Sequence, residues 1–288
     1  MTTASRPRTR VSRSLRPLWL AGAFYLICLV AIAVFEIATV RVGGPTLANT
    51  REALFQWEAL ASVVLATWIM LRKIENLPWS SVGLGREAFN SRAVVGGALL
   101  GGLTIGITSL LLLATHMLRI DTAVPGSWWG EAGHSVMVLL PAAFFEELFI
   151  RGYLFFVLRR MGGWRLALIV TSVVFGLLHA GNPGADAEAI LAVTVAGFFL
   201  GGILLATRSL YAAGTAHFAW NMVMAAGFHI AVSGLPSADV DYRTVETGPD
   251  WLTGGPWGPE GGLAAVALMF VVIFYLYGRY LRRMEWKT

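Results

Sequence analysis

Long apolar stretches separated by short polar connections dominate the chain. Eight of them, at about 18 to 40, 53 to 71, 93 to 115, 134 to 158, 164 to 180, 189 to 206, 209 to 231 and 262 to 282, approach the roughly 20 apolar residues that a helix needs to cross a bilayer. No segment alternates polar and apolar residues, and the ~10-residue alternating segments of a membrane barrel are absent. The pattern predicts an all-α polytopic membrane bundle of about eight transmembrane helices, with residues 18–288 as a single membrane domain.

Glycine spacing adds detail. Gly97 with Gly101, Gly102 with Gly106 and Gly197 with Gly201 have the small-xxx-small interval that lets membrane helices approach closely. They are not a nucleotide loop, because no soluble strand precedes them and no Lys-Ser/Thr follows. Residues 1–17, rich in Arg, Ser and Thr without apolar periodicity, are expected to form a flexible basic arm against anionic headgroups. Residues 77–89 carry Trp79 and Phe89 among polar residues, as an interfacial anchor does. The connection at about 232 to 261 is long for a structureless loop and is expected to be mobile or to cover a substrate entrance.

Composition agrees with a membrane protein: 56% of residues are hydrophobic, 14% are charged and mean hydropathy is +0.66. A net charge of +5 and a pI near 9.7 would suit nucleic acid only on a solvated basic domain, and here the basic residues flank the spans. With the N-terminus inside, Arg41, Arg51, Arg119 and Arg243 fall outside, Arg151 falls within a span, and all the other basic residues fall on the cytoplasmic side. Both termini are therefore expected in the cytoplasm, in a multi-pass protein of the plasma membrane. Asp239, Asp241, Glu246, Asp250 and Glu260 gather in the last external loop. The first span is too long for a secretory signal and lacks a small-x-small cleavage site. Cys28, the single cysteine, excludes an internal disulfide and reads as a small buried apolar residue.

The stretch FFEELFIRGYLFF, residues 144–156, sets three charges in the fourth span. An ionisable group there costs roughly 2.5 to 3.5 kcal/mol on insertion scales, so it is expected to be paired or to line a cavity. At about 100° per residue, Glu147 and Arg151 share a helix face and suit an ion pair, whereas Glu146 points elsewhere and stays available. Companions come from two further spans. Phe175 and His179 share a face in FGLLHAG, as do His217 and Asn221 in AHFAWNM. His179 lies toward the external end of its span and His217 nearer the internal end of its own. His116 and His134 sit near span ends and His229 is rotated about 120° from His217, so these three read as structural. HExxH, a GxSG serine motif in a span and a membrane GxGD motif are all absent.

EELFIR fits EExxxR, FGLLH fits FxxxH and HFAWN fits HxxxN, in that order on three membrane helices. This resembles the CPBP (CAAX protease and bacteriocin-processing) intramembrane proteases, also described as Abi or CAAX prenyl protease 2 type, over about residues 134–230. The resemblance implies hydrolysis of a peptide bond in a membrane-associated or lipidated, CAAX-like substrate. Glu146 and His179 would activate water, His217 and Asn221 would stabilise the oxyanion, and Glu147 with Arg151 would brace the site. Zinc on Glu146, His179 and His217, with an open position for water, and a glutamate-dependent reaction without metal both stay open. Two other readings use the same residues: a noncatalytic scaffold or immunity protein of this fold, and a proton-coupled transporter with the charges as a relay. The partners expected are a membrane peptide and the bilayer, not nucleic acid.

Overall fold

A computed structural model describes residues 10–43, 50–237 and 240–285. Its long helices are α1 (Arg10–Gly43), α2 (Arg51–Trp68), α3 (Ser91–Ala114), α4 (Trp128–Arg151), α5 (Tyr153–Leu178), α6 (Ala187–Thr207) and α7 (Leu210–Met222), and, after the single turn α8 (Asp250–Thr253), α9 (Leu263–Glu285). Among the described residues, six helical runs are long and apolar enough to cross a membrane, one of which, Trp128–Gly181, contains both α4 and α5. The protein is an integral, multi-pass helical bundle.

Two boundaries differ from the sequence reading. The expected fourth span, 134 to 158, is cut at Gly152, which leaves the helical region (φ −81°, ψ −109°). A Cβ at Gly152 would lie 2.3 Å from the Leu148 carbonyl oxygen, so the turn requires glycine. Gly162 and Gly163 break the helix again inside α5, and the part after this break corresponds to the expected fifth span. At the N-terminus α1 begins at Arg10, inside the segment expected to be an arm. Residues 1–9, with Arg6 and Arg8, and Lys287 lie outside the described residues.

The sequence reading contained no strand, yet β1 (Leu118–Thr122) and β2 (Tyr242–Glu246) form an antiparallel ribbon, with Leu118 opposite Glu246 and Thr122 opposite Tyr242. Each strand is five residues long, and the two lie more than a hundred positions apart, so neither shows as a local pattern. His229 ties this ribbon to the bundle, its ring stacked on Tyr242 at 4.2 Å and its Nδ1 2.8 Å from the Tyr242 carbonyl oxygen. The end of the long connection is folded too. α8 and two 3₁₀ turns, Gly255–Trp257 and Pro259–Gly261, fold it back onto the bundle and bury Trp257.

Close approach of α3 and α7 sets the centre of the bundle. A Cβ at Gly97 would stand 2.2 Å from the Ala212 carbonyl oxygen, and one at Gly101 would stand 1.9 Å from that of Ala216. Gly97 and Gly101 thus face Ala212 and Ala216, small against small with the same four-residue spacing. Gly102 and Gly106, the other expected pair, meet only the Ala219 and Val223 region at ordinary van der Waals distance. Gly197 packs on Ser172 in the same backbone-to-backbone manner, joining α6 to α5. These contacts seat α7 on α3 and α6 on α5, beside the end of α4, whose Arg151 reaches the Gly197 carbonyl.

Candidate functional site

The last two turns of α4 carry Glu146, Glu147 and Arg151. Glu147 and Arg151 are fully buried and paired, with Arg151 Nη1 donating to Glu147 Oε1 at 2.5 Å. Arg151 Nη2 donates to the Gly197 carbonyl at 3.3 Å, and its guanidinium lies over the Phe175 ring at 4.4 Å. The ion pair expected from the four-residue spacing is formed, and α5 and α6 supply further contacts that no local pattern could reveal.

Glu146 stands apart from that pair. Its side chain is one-third exposed, and its Oε2, buried, has no hydrogen-bond partner among the described residues. This oxygen is 3.9 Å from Nε2 of His179 and 3.9 Å from Nε2 of His217. Such distances exceed a direct hydrogen bond and leave an acceptor and two imidazole nitrogens facing one another. His179 follows the end of α5 in a 3₁₀ turn, and His217 lies in the middle of the short α7. Their different depths in sequence therefore converge on one point.

The outer ring nitrogens have partners that fix the imidazoles. His179 Nδ1 lies 2.8 Å from the Phe175 carbonyl oxygen; a carbonyl only accepts, so Nδ1 carries a hydrogen and Nε2 is the nitrogen turned toward Glu146. His217 Nδ1 lies 3.2 Å from Glu147 Oε1, the oxygen that also holds Arg151. The Glu147–Arg151 pair thus reaches His217 directly.

Next to these groups is a small pocket lined by Phe175, His179, His217, Trp220 and Asn221 of the bundle and by Ser233 and Glu260 of the connection before α9. Its free volume of ≈ 30 Å³ is room for a water molecule. Glu260, read from sequence only as one of several loop acids, is the residue that reading missed. It is 7% exposed, and it accepts from Trp220 Nε1 at 2.8 Å, from the Ser233 amide at 2.6 Å and from Ser233 Oγ at 2.7 Å. Its surroundings, WGPEGG, carry no periodicity or motif that marks it.

The zinc reading can be tested on this geometry. Ligands about 2.0 to 2.2 Å from a tetrahedral ion stand roughly 3.3 to 3.6 Å from one another, and Glu146 is wider than that from both histidines. Among the described residues no three His, Cys, Asp or Glu side chains are grouped to hold an ion. The set does not fit zinc as it stands. His116, in left-handed backbone after α3, and His134, on α4, take no part in the cluster.

Fold and site define an integral membrane protein with a buried carboxylate–histidine centre contributed by three helices. Residues 127–223, which contain Glu146, Glu147, Arg151, His179, His217 and Asn221, match the family described as type II CAAX prenyl endopeptidase Rce1-like. That match bears out the resemblance to the CPBP, or CAAX protease, family. Neither the curated proteins nor the solved structures include a match to this chain.

Proposed function

We propose that the protein is an intramembrane endopeptidase that hydrolyses a peptide bond of a membrane-associated or lipidated, CAAX-like substrate, with both termini in the cytoplasm of a plasma-membrane protein. The observation that carries the reading is the unpartnered, buried Glu146 Oε2 set 3.9 Å from two imidazole nitrogens beside a cavity that admits water. Glu146 takes one proton of a water whose other hydrogen is held by the Nε2 lone pair of His179, as the water oxygen attacks the scissile carbonyl carbon. The tetrahedral oxyanion then accepts hydrogen bonds from Asn221 and from protonated His217, whose Nδ1–H remains on Glu147. Collapse breaks the C–N bond, and the proton taken from water passes to the leaving amine.

Glu147 and Arg151 brace this arrangement. Arg151 neutralises Glu147, and Glu147 in turn holds the His217 ring. The deciding experiment is mass spectrometry of new peptide termini in membranes from cells carrying wild type or Glu146→Gln at equal expression. Termini present only with wild type are expected, and they would identify the substrate. Identical profiles, with known substrates sampled, would defeat the reading in favour of the noncatalytic scaffold.

A further inference from the structure

A second pocket, ≈ 270 Å³, lies where the end of α4, the first turns of α5, the end of α6 and α9 meet the 3₁₀ turn Trp79–Val82. Its polar wall consists of Arg151, Arg159, Arg208, Ser80, Ser81 and Tyr280, and no carboxylate among the described residues lines it. Arg151 is paired with Glu147 behind this wall, whereas Arg159 and Arg208 are exposed and turn charge that no carboxylate of the lining offsets toward the cavity.

The guanidinium groups of Arg159 and Arg208 have no carboxylate within 4 Å and donate to no carbonyl among the described residues. The C-terminal ends of α4 and α6 attract cations here, but neither side chain is used to satisfy them. Arg151, at 1% exposure, supplies the inner wall, and its Nε is buried without a partner. Arg208 also occupies an unusual backbone position. It caps α6 in the left-handed region (φ 57°, ψ 27°), where glycine is the favoured residue. The strain keeps a guanidinium at the pocket where a strain-free cap would have none.

We propose that this pocket binds a phosphate group. Guanidinium forks match phosphate oxygens in pairs, and the Ser80 and Ser81 hydroxyls add donors. The group could be borne by an anionic phospholipid or by a soluble phosphate compound, and the site chemistry is common to both. A phosphate there would share Arg151 with Glu147. The binding itself does not depend on the protease reading.

The full-length protein in neutral detergent provides the test. Melting is followed with and without inorganic phosphate at constant ionic strength, and native mass spectrometry records retention of phosphatidylglycerol against phosphatidylcholine. Wild type is expected to be stabilised by phosphate, to prefer phosphatidylglycerol, or both. Preference without phosphate stabilisation assigns the group to a lipid, and the converse assigns it to a soluble compound.

The double variant R159Q/R208G is expected to bind roughly tenfold or more weakly, as for the loss of a charge-assisted hydrogen bond. Arg208→Gly alone is expected to melt no lower than wild type in the absence of phosphate, since glycine suits that backbone. Absence of both responses in wild type, or full retention of a response in R159Q/R208G, overturns the proposal.

Discussion

Arg151 shows how a single side chain makes buried charge tolerable. It meets Glu147, the Gly197 carbonyl and the face of Phe175 at once. Removing one member of a buried pair strands the other, at a typical cost of about 3–5 kcal/mol. Arg151→Ala is therefore expected to lower both the yield of assembled protein and its melting temperature, and a normal yield with normal melting would refute the bracing role. Glu147 and Glu146 are adjacent in sequence, and a turn of about 100° per residue gives them separate tasks. Only the first is closed in by partners.

At the level of elements, the α3–α7 contact depends on Gly101, whose missing Cβ leaves space for the Ala216 carbonyl one residue before His217. Gly101→Leu is expected to destabilise by about 1–3 kcal/mol or more, because backbone must move to admit the side chain. Gly106→Ala, with only Val223 at 3.7 Å, is expected to be neutral or slightly stabilising. Thermal melting of the two variants separates these outcomes.

The β1–β2 ribbon carries a pH response. Burial, aided by the Asp250 charge, pushes the Glu246 carboxyl up to about 7. A group that holds its proton more tightly when folded stabilises fully below its unfolded value of 4.5, and that stabilisation is lost as pH rises toward about 7. Solvent screening at this half-exposed site keeps the effect small. Relative to Glu246→Gln, wild type should therefore lose melting temperature between about pH 5 and 8; a constant difference across that range would contradict the shift.

On the scale of the whole molecule, the connection before α9 closes the pocket that α5 and α7 open. Glu260 accepts three hydrogen bonds there, one from Trp220, which lies between His217 and Asn221 on α7. Glu260→Ala leaves those donors unpaired, at roughly 1–3 kcal/mol for each one that stays buried. The variant is expected to melt lower and, once a substrate is in hand, to lose more in kcat than in KM as α7 loosens. Ser233→Ala, which keeps the backbone amide bond, should show a smaller loss. Unchanged kinetics in Glu260→Ala would confine that residue to a structural role.

The sequence by itself determined the features that local rules govern: apolar length specified helices, charge placement singled out the fourth span, and helical spacing paired Glu147 with Arg151 while it aligned His217 with Asn221. The three motifs identified the residues but not the distances between them. Only the tertiary structure decided that His179, at a helix end, and His217, in mid-helix, meet at Glu146, that residues 250–261 of the long connection fold back onto the bundle, and that Glu260 enters the pocket. Two five-residue strands more than a hundred positions apart, and a glutamate in a glycine-rich turn, have no periodicity to betray them. Their positions come from contacts between segments distant in sequence, and those contacts exist only once the bundle has packed.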